Sequence, residues 1–164
     1  MSRPDATAFT EIVGSLDYPM FVVTTAAGGH QSGCLVGFVT QCSIDPPRLV
    51  VCISKANRTY EISARASTLV VHVLRSDQLD LSRRFGEDTG DEVDKFAREH
   101  WRPGPDGVPV LEGCDWIAGR VLERVDLGDH VGHVVDVGAA GRDHAPSSQL
   151  GYQATKALNP GHDA

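Results

Sequence analysis

Apolar positions change their period several times along the chain, and each change predicts an element. Phe9, Ile12, Val13 and Leu16 recur at spacings of three and four, which predicts a short amphipathic helix from Ala6 to Leu16. From Tyr18 the run Tyr-Pro-Met-Phe-Val-Val-Thr-Thr is β-branched and aromatic, and Ala27-Gly28-Gly29-His30 then supplies glycines suited to a turn. A hairpin follows, with the returning strand running from about Gln31 to Ser43. Asp45-Pro46-Pro47 interrupts it, because proline has no N–H to give a ladder, and Arg48 to Ser54 is a nearly continuous apolar strand.

Asn57 is placed to cap a short helix through Ala64, its side chain accepting from an amide of the first turn. Thr68 to Leu74 returns to strand, and Asp77 offers a cap for a helix carrying Leu79, Leu81 and Phe85. Gly86 to Gly90 reads as an acidic loop or lid, and Trp101 to Gly107, rich in proline and glycine, as irregular chain. Three more strands are predicted at Val108 to Leu111, Cys114 to Val125 and His130 to Val137, the last two joined by a turn at Gly128-Asp129. Helices do not alternate regularly with these strands, which argues against a doubly wound parallel sheet and for a mainly β, closed or split antiparallel barrel. One domain over residues 1–164 is expected, with its core at about 15–138 and an irregular arm at 139–164 lying on the barrel or on a partner subunit.

Charge and composition remove several function classes. A formal net charge of −7 argues against a nucleic-acid partner, which calls for clustered Lys and Arg. Met1 to Gly14 lacks the continuous apolar stretch of a secretory signal, and no later run approaches membrane-spanning length, so no membrane association and a cytoplasmic setting are expected. Cys34, Cys42, Cys52 and Cys114 form no Cys-x-x-Cys pair and read as buried free thiols. His130 and His133, three apart in a predicted strand, point to opposite faces, and the other five histidines are scattered, so no metal site is expected.

The block from Gly33 to Pro47, ending in Ser43-Ile-Asp-Pro-Pro47, carries the most specific pattern. It is followed in order by Lys55-Ala-Asn-Arg-Thr59, Leu69-Val-Val-His-Val-Leu74, Phe85, Asp94-Lys-Phe96 and Gly128-Asp-His130. Together these resemble the flavin reductase-like family over roughly residues 15 to 138. The resemblance implies an FMN-binding split barrel of antiparallel Greek-key type, with FMN or FAD as flavin and NADH or NADPH as reductant. It also implies a symmetric homodimer that completes the flavin site, and an oxygenase partner. Leu35, Gly37, Phe38 and Val39 stand where the family often has small hydroxyl residues, His72 replaces a frequent Asn, and residues 139–164 match the family ending poorly.

A flavin needs a flat apolar slot, hydrogen-bond donors for its pyrimidine edge and an anion site for its phosphate. Gly37, lacking Cβ, is assigned to close approach of the backbone to the ring. Phe38, Val39 and Thr40 are assigned to supply amides and apolar surface, with Cys42 and Ser43 at the end of the same strand. The same residues also suit an ordinary barrel strand. Lys55, Asn57, Arg58 and Thr59 are the candidate phosphate site, combining a helix start with cationic and hydroxyl side chains. Phe85, with Phe96 and Trp101, either covers the flavin or packs in the core. His130, placed by the resemblance beside flavin and reductant, is the candidate catalytic residue; its plainer role is a turn histidine paired with Asp129. Hydride transfer needs no protein nucleophile, because flavin and nicotinamide carry the chemistry. The resulting expectation is an NAD(P)H-dependent flavin reductase that supplies reduced flavin to an oxygenase. A flavin-binding electron carrier, or a related split barrel using another cofactor, remains the alternative.

Overall fold

The computed structural model describes residues 6–87, 94–143 and 148–158. Its strands are β1 (Phe21–Ala27), β2 (His30–Val36), β3 (Val39–Ser43), β4 (Arg48–Ser54), β5 (Thr68–Val73), β6 (Trp101–Pro103), β7 (Pro109–Leu111), β8 (Asp115–Asp126) and β9 (His130–Gly141). Helices α1 (Ala6–Ser15), α2 (Arg58–Ser63), α3 (Leu79–Gly86) and α4 (Tyr152–Thr155) lie between or beyond them.

Seven strands form one antiparallel sheet in the order β2-β1-β5-β8-β9-β4-β3, and β6 pairs with β7 in a separate ribbon. β2 and β3 lie at opposite edges of that sheet, yet only Gly37 and Phe38 separate them in sequence. Two residues can join opposite edges only if the sheet rolls up until the edges meet. The Cys52 N–H donates to the Phe38 carbonyl at 2.9 Å, which extends the β3–β4 ladder back to the crossing. The single return strand expected over Gln31 to Ser43 is therefore two strands, because its first half takes β1 as partner and its second half takes β4.

The barrel interior holds Val23, Cys34, Val51, Ile53, Leu69 and Val71, all essentially without solvent exposure. β5 is buried on both faces because the β6–β7 ribbon covers its outer side, while α3 covers β1 and β2, and Val22, Leu74, Phe85, Leu111 and Leu150 pack together in that outer layer. His72 pins that outer layer. Its Nδ1–H donates to the Val22 carbonyl at 2.9 Å, and its Nε2 accepts from the Leu111 amide at 3.0 Å. Burial lowers its pKa from the usual 6.5 to about 4, so the ring sits neutral with both nitrogens satisfied. Arg124 reaches from β8 to donate to the carbonyl of Ser63, the last residue of α2, and to that of Ala66 beyond it, at 2.7 and 2.5 Å, tying that helix to the barrel.

Several local expectations change. Asp77 does not cap α3: its carboxylate pairs with Arg75, while Gln78 stands at the cap position and uses its Oε1 to accept from the Arg75 amide. The stretch expected to be irregular at Trp101 begins with a short strand, held by its register with Pro109 to Leu111. β9 continues past Val137 to Gly141 because β8 is long enough to pair with it throughout. Of the four cysteines only Cys34 and Cys114 are buried; Cys42 is exposed on the edge strand β3 and Cys52 is half-buried. The apolar side of α1 is formed as expected but is covered by none of the described residues, with Phe9 60% and Ile12 64% exposed. Asp88, Asp91, Glu92, His144 and His162 lie outside the described residues.

The C-terminal arm lies on the barrel. Met20 N donates to the Leu150 carbonyl, Leu150 N to the Leu74 carbonyl and Tyr152 N to the Tyr18 carbonyl, at 2.8, 2.9 and 2.9 Å. Leu150 is buried beneath them, so both backbone bonding and apolar burial hold the segment.

Candidate functional site

The crossing from β2 to β3 opens a cleft of about 210 Å³ between the seam, the first residue of β9 and the C-terminal arm. Its apolar side is made by Met20, Val36 and Phe38, and its polar end by Ser54, Asn57 and His130. Tyr18 and Tyr152 close the side toward the arm. Pockets that swallow a whole drug-sized ligand usually measure roughly 300–1,000 Å³. This one has room for a ring, with the rest of a nucleotide left along the surface.

Gly37 lines the cleft at the crossing, where its missing Cβ leaves space that a neighbouring ring uses. A Cβ there would stand 2.8 Å from Tyr18 Cε2 and 3.3 Å from Met20 Sδ, so the glycine makes room for the tyrosine edge. Phe38 remains 55% exposed, a large apolar ring held half in solvent at the mouth. Its centroid lies 5.2 Å from the His130 ring and 6.4 Å from the Tyr18 ring. His130 Nδ1–H donates to Asp129 Oδ1 at 2.8 Å, and this bond holds the Asp129 carboxyl below the usual carboxylate range. The contact fixes the proton on Nδ1 and leaves Nε2 as the nitrogen turned away from Asp129. His130 is thus the turn histidine paired with Asp129, and its ring also forms part of the cleft wall.

Gly37, Phe38, Asn57 and His130 are brought together at the cleft; the other candidates are not among its walls. Val39 packs against the barrel interior. Thr40 and Cys42 lie on the exposed part of β3, and Ser43 stands opposite Arg48 at a register shift. Lys55 Nζ pairs with Asp126 at 2.8 Å. Asn57 does cap α2, its Oδ1 accepting from the Thr59 amide at 2.9 Å, which uses one of the amides assigned to a phosphate. Thr59 turns inward: it is 1% exposed, and its hydroxyl shares a 2.9 Å hydrogen bond with the Ser32 hydroxyl. Of the cationic pair proposed for phosphate, Arg58 stays exposed at the start of α2.

Phe85 is a correction. It is 1% exposed beneath α3, edge-on to Phe96 at 5.6 Å, and so close to Gly33 that a Cβ there would meet it at 2.9 Å. Phe96 in turn meets Trp101 at 6.1 Å, so the three aromatics form a packed layer, not a cover over the cleft. Burial also decides the thiols at the cleft floor. It pushes Cys34 up to about 11 and raises Cys52, which leaves both as thiols at neutral pH, unsuited to nucleophilic attack. His133 lies on the opposite face from His130, fully buried, with Nδ1 between the Val51 and Val131 carbonyls at 3.3 and 3.2 Å. Among the described residues no group of three or more His, Cys, Asp or Glu is arranged to hold a metal ion.

Tyr18, Met20, Ser54 and Tyr152 line the cleft although sequence reasoning did not select them. Tyr152 had no local signal, since it belongs to a segment without strand or helix periodicity. The lining suits a flat ring: an apolar slab of Met20, Val36 and Phe38, with the donors and acceptors of Ser54, Asn57 and His130 at one end. A flavin ring has this division of surface, so the residues fit it.

Comparison with known proteins gives the same direction. Residues 13–159 match the model of the flavin reductase like domain family. The reductase subunit HsaB of a flavin-dependent monooxygenase from Mycobacterium tuberculosis is 32% identical over 127 residues, covering 77% of this chain and 66% of that protein. The FMN reductase (NADH) RutF of Pseudomonas syringae is 30% identical over 124 residues, covering 75% of this chain and 69% of that protein. A flavin reductase domain protein from Arthrobacter sp. FB24 superimposes with a TM-score of 0.82 over 91% of each chain at 23% identity, which shows the shared fold. The chain spans about half the length of several curated relatives that it matches, 40%, 55% and 58% of three of them. Among the described residues no helix is long and apolar enough to cross a membrane. By its matched span, its antiparallel split barrel and its cleft, the chain belongs to the flavin reductase-like domain family.

Proposed function

We propose that the chain is an NAD(P)H-dependent flavin reductase that binds FMN, or FAD, and passes reducing equivalents to an oxygenase component. The carrying observation is the Asp129–His130 pair at the mouth of an apolar, ring-sized cleft. When bound, a flavin supplies the ring nitrogen that accepts hydride from a nicotinamide. The chain's own residues do the rest. Met20, Val36 and Phe38 exclude water from one side of the slot. Asn57 and Ser54 offer polar groups at its end. Asp129 orients His130 so that Nε2 is available to a ligand at the mouth. FMN is preferred to FAD because the sequence shows no adenine-binding motif. The names of HsaB and RutF, a monooxygenase reductase subunit and an NADH-dependent FMN reductase, support the same reading. A homodimer is part of it, and the uncovered apolar side of α1 is surface for such a dimer to bury.

The test is stopped-flow absorbance of the protein with FMN or FAD, mixed anaerobically with NADH or NADPH. Bleaching of the oxidised-flavin band is expected with at least one pair. Failure with every pair sinks the reductase reading. Flavin retained through purification but reduced only by another protein would identify an electron carrier instead.

A further inference from the structure

Tyr152 stacks on Tyr18 with ring centroids 4.7 Å apart and planes 9° from parallel. Neither ring is in the core: both are half-buried and both line the cleft. The edge of Tyr18 rests on Gly37, in the space that a side chain there would fill. Lys156 stands over the Tyr152 ring at 5.6 Å from its centroid, and its ammonium also donates to the Gly14 carbonyl. Tyr18 is therefore held from the side by a ring carried on a segment more than 130 residues away, itself held by a cation. That segment is secured independently by its backbone bonds and by buried Leu150, so the tyrosine stack is not needed to seat it. A stacked pair kept half in solvent beside a cavity adds little to the core; it shapes the cavity.

We infer that Tyr18 is the wall against which the cleft holds a flat ring, and that Tyr152 is the positioning residue that keeps Tyr18 over Gly37, so that the C-terminal arm sets how tightly the slot holds that ring. The inference rests on the proposed flavin site and deepens it. The ligand class is a planar heteroaromatic ring, lying against Phe38 and bounded by the face or edge of Tyr18. Tyr18, fixed in one rotamer, makes its contact without ordering cost; Tyr18 released from Tyr152 does not. Aromatic pairs of this kind shift equilibria by a factor of about 2 to 12, and that range sets the size of the effect expected.

The experiment compares wild type with Y18A, Y152A and Y152F. It measures the Kd for FMN by flavin fluorescence quenching, the KM and kcat for NADH with saturating FMN, and the melting temperature. Y18A and Y152A are expected to weaken FMN binding by roughly 3- to 10-fold, with melting close to wild type. Y152F, which keeps the stack and loses only the hydroxyl, is expected to restore the wild-type Kd. Wild-type FMN affinity in folded Y18A and Y152A overturns the inference and leaves the reductase reading standing. A Y152F as weak as Y152A also overturns it, since the ring face would then not be what matters. A wild-type protein that binds no flavin overturns the site and this inference together.

Discussion

His72 makes the stability of this protein depend on pH in a way that can be isolated. In the folded chain both ring nitrogens are engaged, one by the Val22 carbonyl and one by the Leu111 amide, and a second proton would turn Nε2 from acceptor to donor against an N–H. The folded pKa is accordingly about 4, against 6.5 in the unfolded chain. The unfolded state takes up a proton first as pH drops, so stability falls as pH goes below about 6.5 and the loss levels off below about 4. At about 1.36 kcal/mol per pKa unit, the full loss is roughly 3 kcal/mol, of which about 2 kcal/mol appears between pH 7 and pH 5. The assay is urea unfolding followed by tryptophan fluorescence at both pH values, for wild type and for H72N. Asn at this position has no titrating group in the range, while burial also lowers the His133 pKa and His133 is present in both proteins, so their difference isolates residue 72. H72N is expected to be less stable at pH 7 but to lose about 2 kcal/mol less than wild type on going to pH 5. An identical loss in the two proteins would refute the argument that this imidazole is kept neutral by its two partners.

Other outcomes follow from single contacts. Gly119→Ala places a Cβ 2.3 Å from the Asp136 carbonyl oxygen and 2.6 Å from Val135 Cγ1, where backbone cannot yield as a side-chain tip can; a cost of about 1–3 kcal/mol and a melting point lower by at least about 2 °C are expected by calorimetry. Arg124→Met keeps the apolar stem but leaves the buried Ser63 and Ala66 carbonyls without their guanidinium; chemical unfolding should show about 1–3 kcal/mol lost, and no loss would mean that α2 is held by packing alone. His130→Asn should lower kcat/KM for the nicotinamide nucleotide by about tenfold, equivalent to about 1.4 kcal/mol, while the Kd for flavin in a direct titration changes little; an unchanged kcat/KM would return His130 to the role of a turn residue.

Local chemistry accounts for the parts of the fold that were legible in the chain. The glycines at 28 and 29 take positive φ, the hairpin follows them, and Asn57 caps α2 through its own side chain, all within a few residues of the signal. The ordered blocks from Gly33 to His130 likewise carried the family, since each block is short-range in sequence. Gly37, Phe38, Asn57 and His130 reach the cleft because each stands at a strand end or helix start near the seam.

What only the tertiary structure decided are the matters that depend on which strands become neighbours. The break at Gly37-Phe38 exists because two sheet edges meet there, and no local period encodes that closure. Phe85 and Thr59 have the residue types of a ligand site but face inward, because α3 and α2 present those sides to β2. Tyr152 joins the cleft across more than 130 residues through backbone bonds and a ring stack, contacts that leave no pattern in the segment that makes them. The sequence alone determined most of the elements and the family they make; the rolled sheet determined where the return strand breaks and which side chains share the cleft, because closing a barrel sets distances between residues that the chain itself keeps far apart.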